Sequence, residues 1–139
     1  MNVLVIDGQG GALGAQLVKE ITECFAGVTL TAVGTNATAT AAMLKAGAKN
    51  AATGENPVIV AARRADVIIG PIGIVIADAL LGEVTPRMAL AVGQAAAKRI
   101  LIPMNKCDNL VAGITQTSTA ALIADAMAKL SGMINAENT

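Results

Sequence analysis

The sequence predicts an α/β fold in which a mainly parallel sheet carries helices on both faces. Residues 3–6, Val-Leu-Val-Ile, form a continuous apolar run that is typical of a strand buried on both sides. A glycine-rich turn follows, and then Leu13, Leu17 and Ile21 recur every four residues, as on one face of a helix. Strand, glycine turn and helix together open many nucleotide-binding folds, so we expect a three-layer, Rossmann-like sandwich.

Turn and capping residues divide the rest of the chain into alternating strands and helices. Asn56 with Pro57, and Thr85 with Pro86, form the pair of N-cap and proline that favours the start of a helix. The run from Ile74 to Leu81 is apolar on all sides and is interpreted as a buried helix. The predicted strands are 3–6, 28–33, 50–53, 66–70, 99–103 and 110–115. The predicted helices run from the glycine turn to about 26, then over about 37–46, 57–64, 74–81, 86–97 and from Ser118 or Thr119 to Gly132.

Strands that alternate with helices form a parallel sheet, and the strand beginning at Val3 is expected at its centre. In such sheets ligands bind beyond the carboxyl ends of the strands, where the strand order reverses. The predicted site therefore lies along the turns that follow Ile6, Val33, Ile69 and Pro103.

The length and composition indicate one domain of 139 residues, with a tail at 135–139 that is expected to fray. Apolar residues make up 54% of the chain and charged residues only 14%, which leaves a surface poor in charge. Tight packing of small residues and a homo-oligomer would each explain this composition, and we expect both.

Charge and residue usage exclude several classes of partner. Ten basic residues balance ten acidic ones, and Phe25 is the only aromatic residue, so no nucleic-acid partner is expected. Without histidine no zinc site is expected, and Cys24 and Cys107 are too few for a disulfide framework. The sequence shows no signal peptide. Its longest apolar stretch, 67–81, is interrupted by glycine, proline and Asp78, so it is not expected to span a membrane. We therefore expect a cytoplasmic protein with no membrane partner.

The glycine turn after the first strand is the main candidate for a phosphate site. Backbone N–H groups at such a turn, with the helix dipole behind them, attract an anion. Leu13 stands where the standard dinucleotide fingerprint has its third glycine, and no lysine follows as in a Walker loop. The alternative is a tight turn that needs positive φ and close packing of helix against strand. The residues assigned to this turn are Gly8, Gln9, Gly10, Gly11 and Gly14.

Asp7 and Glu55 are the candidate acid–base residues. The carboxylate of Asp7, at the end of the first strand, would repel a pyrophosphate unless it points aside. It is interpreted either as a cap of the turn backbone or as a ligand for a hydroxyl, an amine or a metal-bridged phosphate. Glu55 either contacts a ligand or stabilises the N-terminus of its helix.

Thr35 and Asn36 stand where NAD-binding folds usually carry an acid for the ribose hydroxyls. Small polar residues there tolerate a 2′-phosphate, which favours NADP over NAD. Taken alone, however, these residues are better explained by capping of the second helix. Asn105 with Lys106, Cys107 and Asp108 matches the Asn-Lys-x-Asp motif of GTPases, without the phosphate loop that accompanies it there. The far side of the predicted cleft, which is alternatively a rigid turn, is Gly70, Pro71, Ile72 and Gly73.

Six segments of the chain, in this order, are similar to those of one bacterial family. They are Val-Ile-Asp-Gly-Gln-Gly-Gly (5–11), Ala-Val-Gly-Thr-Asn (32–36), Ala-Ala-Met-Leu-Lys-Ala-Gly-Ala (41–48), Ala-Thr-Gly-Glu-Asn (52–56), Ile-Gly-Pro-Ile-Gly-Ile-Val-Ile-Ala-Asp-Ala-Leu-Leu-Gly-Glu-Val-Thr-Pro (69–86) and Ile-Pro-Met-Asn-Lys-Cys (102–107). Over about residues 1–114 the chain thus resembles the family named domain of unknown function 3842. The resemblance implies a small, cytoplasmic, Rossmann-like protein and assigns it no reaction.

The sequence therefore predicts a protein that binds NAD(P) or a related small-molecule nucleotide at the glycine turn. Two alternatives stay open. One is a small enzyme that acts on a phosphorylated or carboxylated metabolite through Asp7 or Glu55. The other is a non-catalytic oligomeric or regulatory subunit.

Overall fold

Strands and helices alternate along the chain in the computed structural model, which describes residues 1–104, 109–114 and 118–139. The strands are β1 (Asn2–Asp7), β2 (Thr29–Gly34), β3 (Asn50–Thr53), β4 (Val67–Pro71) and β5 (Lys98–Ile102). The helices are α1 (Ala12–Cys24), α2 (Ala37–Lys45), α3 (Glu55–Arg64), α4 (Pro86–Gln94) and α5 (Thr119–Glu137), and a 3₁₀ helix (Ile72–Val75) follows β4.

The strand β1 lies at the centre of the sheet, as the sequence predicts. The order is β3-β2-β1-β4-β5, and every pairing is parallel. From β1 the chain builds outward through β2 to β3, and then crosses to β4 and β5 on the other side. The order therefore reverses beside β1, which is where sheets of this kind leave a crevice at their carboxyl edge.

Helices cover both faces of the sheet, because alternate residues of each strand point to opposite sides. Helices α1, α2 and α5 pack on one face, and α3 and α4 pack on the other. The first core includes Val3, Val5, Leu17, Met43 and Leu130. The second includes Leu4, Ile6, Val58, Ile68 and Val92. The predicted three-layer α/β sandwich is thus confirmed, and no helix in the described part of the chain is long and apolar enough to cross a membrane.

The predicted buried helix from Ile74 to Leu81 is wrong. The 3₁₀ helix ends at Val75, and turns follow in which Asp78, Leu80 and Leu81 have positive φ angles of 66°, 56° and 57°. This left-handed conformation does not continue an α-helix. A short apolar run does not distinguish a buried helix from other buried backbone, which explains the error.

Other predicted bounds also differ from the structure, by one to three residues where the helix predicted over 86–97 ends at Gln94 and the first helix ends at Cys24, and by more in the following three cases. Residues 109–114 form no strand and include a turn at Gly113, whose φ is +85°; residue 115 lies outside the described residues. Helix α3 begins at Glu55 behind Gly54, so Asn56 is not its N-cap. Helix α5 continues through Gly132 to Glu137, so the predicted stop is wrong, and the fraying of the tail stays a prediction.

Replacing Gly132 by alanine is expected to raise the free energy of unfolding by about 1 kcal/mol. The residue is exposed within α5, and an added Cβ would meet nothing within 4 Å. The matched control is Gly47→Ala, because Gly47 has a φ of +122° and the same change there should destabilise. Urea denaturation followed by circular dichroism measures both. If Gly132 ended the helix, its substitution would lower stability as well.

Candidate functional site

The carboxylate of Asp7 holds the glycine turn from inside the protein. Its Oδ1 accepts a hydrogen bond from the Gly8 N–H at 2.8 Å, and its Oδ2 accepts one from the Gly14 N–H at 2.6 Å. The residue is only 6% exposed. Asp7 thus serves as a buried cap for the start of α1, which is the capping interpretation of the sequence.

Burial raises the pKa of Asp7 above its ordinary value. The hydrogen bonds from Gly14 and Gly8 act in the opposite direction, and the nearby charge of Glu83 adds to the rise. Desolvation prevails because the side chain is removed from water. Both oxygens are engaged by the backbone, so the geometry supports a structural role for Asp7 rather than acid–base chemistry on a substrate.

The glycines of the turn differ in how closely they are packed. Gly11 has a φ of +76°, and a Cβ there would lie 2.7 Å from the Cα of Ala39. A Cβ at Gly14 would lie 2.7 Å from the Sδ of Met43. Both glycines therefore allow α2 to approach α1. A Cβ at Gly10, by contrast, would meet nothing within 4 Å, so this part of the turn faces open space.

The N-terminus of α1 offers backbone donors beside this open space. The Gly11 N–H bonds the Gly8 carbonyl, and the Gly14 N–H bonds Asp7. Among the described residues, the N–H groups of Gly10, Ala12 and Leu13 have no acceptor. Free N–H groups at the positive end of a helix dipole are the donors that bind phosphate at such turns.

Glu83, which no sequence motif places at the glycine turn, binds the outer side of this turn. Its Oε1 accepts hydrogen bonds from the Gln9 N–H at 2.9 Å, the Thr35 hydroxyl at 2.7 Å and the Asn36 side-chain amide at 2.6 Å. Glu83 belongs to the connection between β4 and α4. The connections that follow β1, β2 and β4 therefore meet at one carboxylate oxygen.

The pKa of Glu83 lies below its ordinary value. Partial burial acts to raise the pKa, but the hydrogen bonds from Gln9, Thr35 and Asn36 outweigh that effect. All three donors favour the charged form, so Glu83 is ionised at neutral pH. The sequence does carry one indirect signal for Glu83. NAD-binding folds usually have an acidic residue after the second strand, and this chain has Thr35 and Asn36 there instead; the carboxylate of Glu83, from another segment, lies beside them.

Thr35 and Asn36 connect the ends of β1 and β2. The Thr35 N–H donates to the Asp7 carbonyl at 2.9 Å. The Asn36 Oδ1 accepts from the Ala39 N–H at 2.8 Å and caps α2, while its Nδ2 also donates to the Gln9 carbonyl at 3.0 Å. Capping therefore accounts for the Oδ1 of Asn36, whereas its Nδ2 donates to the Gln9 carbonyl and to Glu83.

Glu55 lies outside this cluster and connects two helices. Its Oε2 accepts from the Thr85 hydroxyl at 2.6 Å, and its Oε1 lies 3.4 Å from the Arg87 guanidinium. Both oxygens are thus engaged by the first turn of α4. Arg87 thus pairs with Glu55, and Asp78 in the preceding connection is exposed.

The other predicted site residues are placed as follows. Gly70 is buried in β4, where a Cβ would clash with the Ile6 carbonyl oxygen, so this glycine is required for strand packing. Pro71 ends β4 and is buried, while Ile72 and Gly73 begin the 3₁₀ helix. Asn105, with the rest of the Asn-Lys-x-Asp motif, lies outside the described residues.

Comparisons with known proteins give a family and a similar fold. No curated protein matches the sequence significantly. A crystal structure of a dodecameric FMN-dependent Ubix-like decarboxylase from Escherichia coli O157:H7 is similar in fold, with a TM-score of 0.46 and 20% sequence identity over 96% of this chain and 76% of that chain. The family model described as domain of unknown function (DUF3842) matches residues 2–135, so the chain belongs to this family.

Proposed function

We propose that the protein binds a phosphate-bearing nucleotide, of which NAD(P) is one candidate, at the carboxyl edge of the sheet. The observation that carries this proposal is the group of free N–H donors at Gly10, Ala12 and Leu13, beside the strand where the sheet order reverses. They lie at the N-terminus of a 13-residue helix, which adds its dipole to their attraction for an anion.

The remaining parts of the nucleotide are assigned by position. Thr35 and Asn36 follow β2 on the side of the turn where a ribose or its 2′-phosphate lies in such folds, and in this structure their hydroxyl and amide donate to Glu83. Ile72 and Gly73 follow β4, and we assign them to the opposite wall of the site. The homo-oligomer and the cytoplasmic location that the sequence predicts stay predictions.

Thermal unfolding with a panel of nucleotides tests this proposal. A ligand that binds only the native state stabilises it, by about 2.7 kcal/mol at one hundred times its dissociation constant. We expect a concentration-dependent rise in Tm with at least one of NAD, NADP, ATP, GTP, FMN and adenosine monophosphate, and no rise with adenosine. Absence of a shift with every phosphate-bearing nucleotide at millimolar concentration would contradict the proposal.

Substitutions at Gly10 test whether the phosphate binds beside this residue. The open space at this residue admits a side chain without disturbing the fold. Gly10→Asp puts a negative charge beside the free N–H groups and is expected to weaken nucleotide binding by about tenfold or more. Gly10→Asn has nearly the same shape without the charge and is the matched control. Equal affinities of the two variants would place the phosphate elsewhere.

A further inference from the structure

The contact between Glu83 and the glycine turn has no part in the function proposed above. The β4–α4 loop, which we define as residues 76–84, carries Glu83 over the turn. One oxygen of this carboxylate accepts hydrogen bonds from the backbone N–H of Gln9, the hydroxyl of Thr35 and the side-chain amide of Asn36. We call these three donors the anion site.

The anion site is preorganised to hold a negatively charged oxygen. The Asn36 Oδ1 is fixed by the Ala39 N–H, so its Nδ2 is directed to Glu83. The Thr35 backbone is fixed by its hydrogen bond to the Asp7 carbonyl. Three donors from two connections converge on one acceptor, and a phosphate oxygen accepts the same hydrogen bonds as a carboxylate oxygen.

The β4–α4 loop also fills the space next to the first glycine of the turn. A Cβ placed on Gly8 would lie 2.8 Å from the Cδ1 of Leu80 and 3.0 Å from the Oε1 of Glu83. A ligand phosphate that approaches Gly8 and the anion site therefore meets Glu83 first. Because both groups are anions, they do not share the site.

Hydrogen bonds hold the base of the β4–α4 loop, so the Glu83 carboxylate can leave the anion site while the loop stays folded. The Asp78 N–H bonds the Val84 carbonyl at 2.7 Å, and the Val84 N–H bonds the Ala79 carbonyl at 3.1 Å. Ala79 and Val84 are buried. Glu83 itself is only partly buried, and rotation about its side-chain bonds moves the carboxylate towards water while these hydrogen bonds remain.

We propose that Glu83 occupies the anion site of the ligand-free protein and that a phosphate group of the ligand displaces it. This inference deepens the proposed function and depends on it for the identity of the ligand. It makes Glu83 a built-in competitor that sets the affinity of the site. Ligands that lack a phosphate or a similar anion do not displace it.

The test compares phosphate binding by the wild-type protein and Glu83→Ala, with inorganic phosphate and adenosine monophosphate as probes. An occupant present in about 90% of molecules lowers the apparent affinity of a competing ligand tenfold. Glu83→Ala is therefore expected to bind both probes at least about tenfold more tightly in calorimetric titrations. Glu83→Gln keeps the size of the side chain and loses its charge. Its affinity for both probes should lie between the affinities of the wild-type protein and Glu83→Ala.

Two controls separate competition from other effects. Glu23→Ala removes the same charge from an exposed position on α1 and should leave phosphate affinity unchanged. Thr35→Ala in the Glu83→Ala background removes one donor and should reverse part of the gain. Circular dichroism of each variant verifies that the fold is retained.

Each result has a definite meaning. Unchanged or weaker binding of both probes by Glu83→Ala overturns the inference, and weaker binding would make Glu83 a ligand contact instead. If neither protein binds inorganic phosphate, the inference also fails, whereas a Tm shift with nucleotides would leave the proposed function standing. Tighter binding of inorganic phosphate without any response to nucleotides supports the anion site and contradicts the nucleotide proposal.

Discussion

Gly70→Ala is expected to lower the free energy of unfolding by about 3 kcal/mol, at the upper end of the effects of overpacking. The added Cβ would clash with the carbonyl oxygen of Ile6, and it would also lie 3.1 Å from the Cδ1 of Ile74. A backbone oxygen of the neighbouring strand does not move aside as a flexible side chain does. The variant must therefore separate β4 from β1, the central pair of the sheet.

Denaturation by urea, followed by circular dichroism, measures this effect without relying on tryptophan or tyrosine, which the chain lacks. Gly93→Ala is the matched control, since Gly93 is exposed on α4 and a Cβ there meets nothing within 4 Å. The control should equal or exceed the wild type in stability. A Gly70→Ala variant as stable as this control would show that β4 does not approach β1 so closely.

Asp7→Ala is expected to have an effect of similar size, about 3 kcal/mol, because it leaves two backbone N–H groups without an acceptor. These are the N–H groups of Gly8 and Gly14, both within the buried part of the turn. Asp7→Asn retains one acceptor and should cost less. Asp125→Asn, at an exposed carboxylate of α5, is the control and should change little.

The stability that Asp7 provides should also depend on pH. Burial raises its native pKa, so the native state holds the proton more tightly than the unfolded chain does. The advantage of wild type over Asp7→Ala is then complete below about pH 3.9, the ordinary pKa of aspartate, and decreases as pH rises through the raised native pKa. Denaturation curves of both proteins from pH 3 to 8 measure this difference. A difference that grows with pH would show that the hydrogen bonds, not burial, govern Asp7.

Local signals were sufficient to predict most of the fold. The four-residue spacing of Leu13, Leu17 and Ile21 predicted α1, and all three residues are buried. Thr85 acts as an N-cap, as predicted, and Asn36 caps α2, which is one of the two interpretations given for it. These features depend on neighbours in sequence, which is why the sequence alone reveals them. The helix predicted over 74–81 is wrong because nothing in its residue types indicates that Leu80 and Leu81 adopt positive φ.

The candidate site was predicted only in part, because its contacts join distant segments. The turn after β1 and the pair Thr35 and Asn36 were selected from their places after strands. Glu83 lies 74 residues from Gln9 and 48 from Thr35, and no local pattern predicts such a contact. Glu55 was selected from its place after β3, but its partners Thr85 and Arg87 belong to α4 and show it to be a link between helices.

The position of β1 has a consequence for the order in which the chain is completed during synthesis. The first strand made is the central one, and its partner β4 ends only at Pro71. Helix α5 supplies Ile123, Ala126 and Leu130 to the core that also contains Val3 and Val5. A nascent chain on the ribosome therefore has one side of its sheet covered only in part, by α1 and α2, until α5 emerges, and chaperones are most needed during this interval.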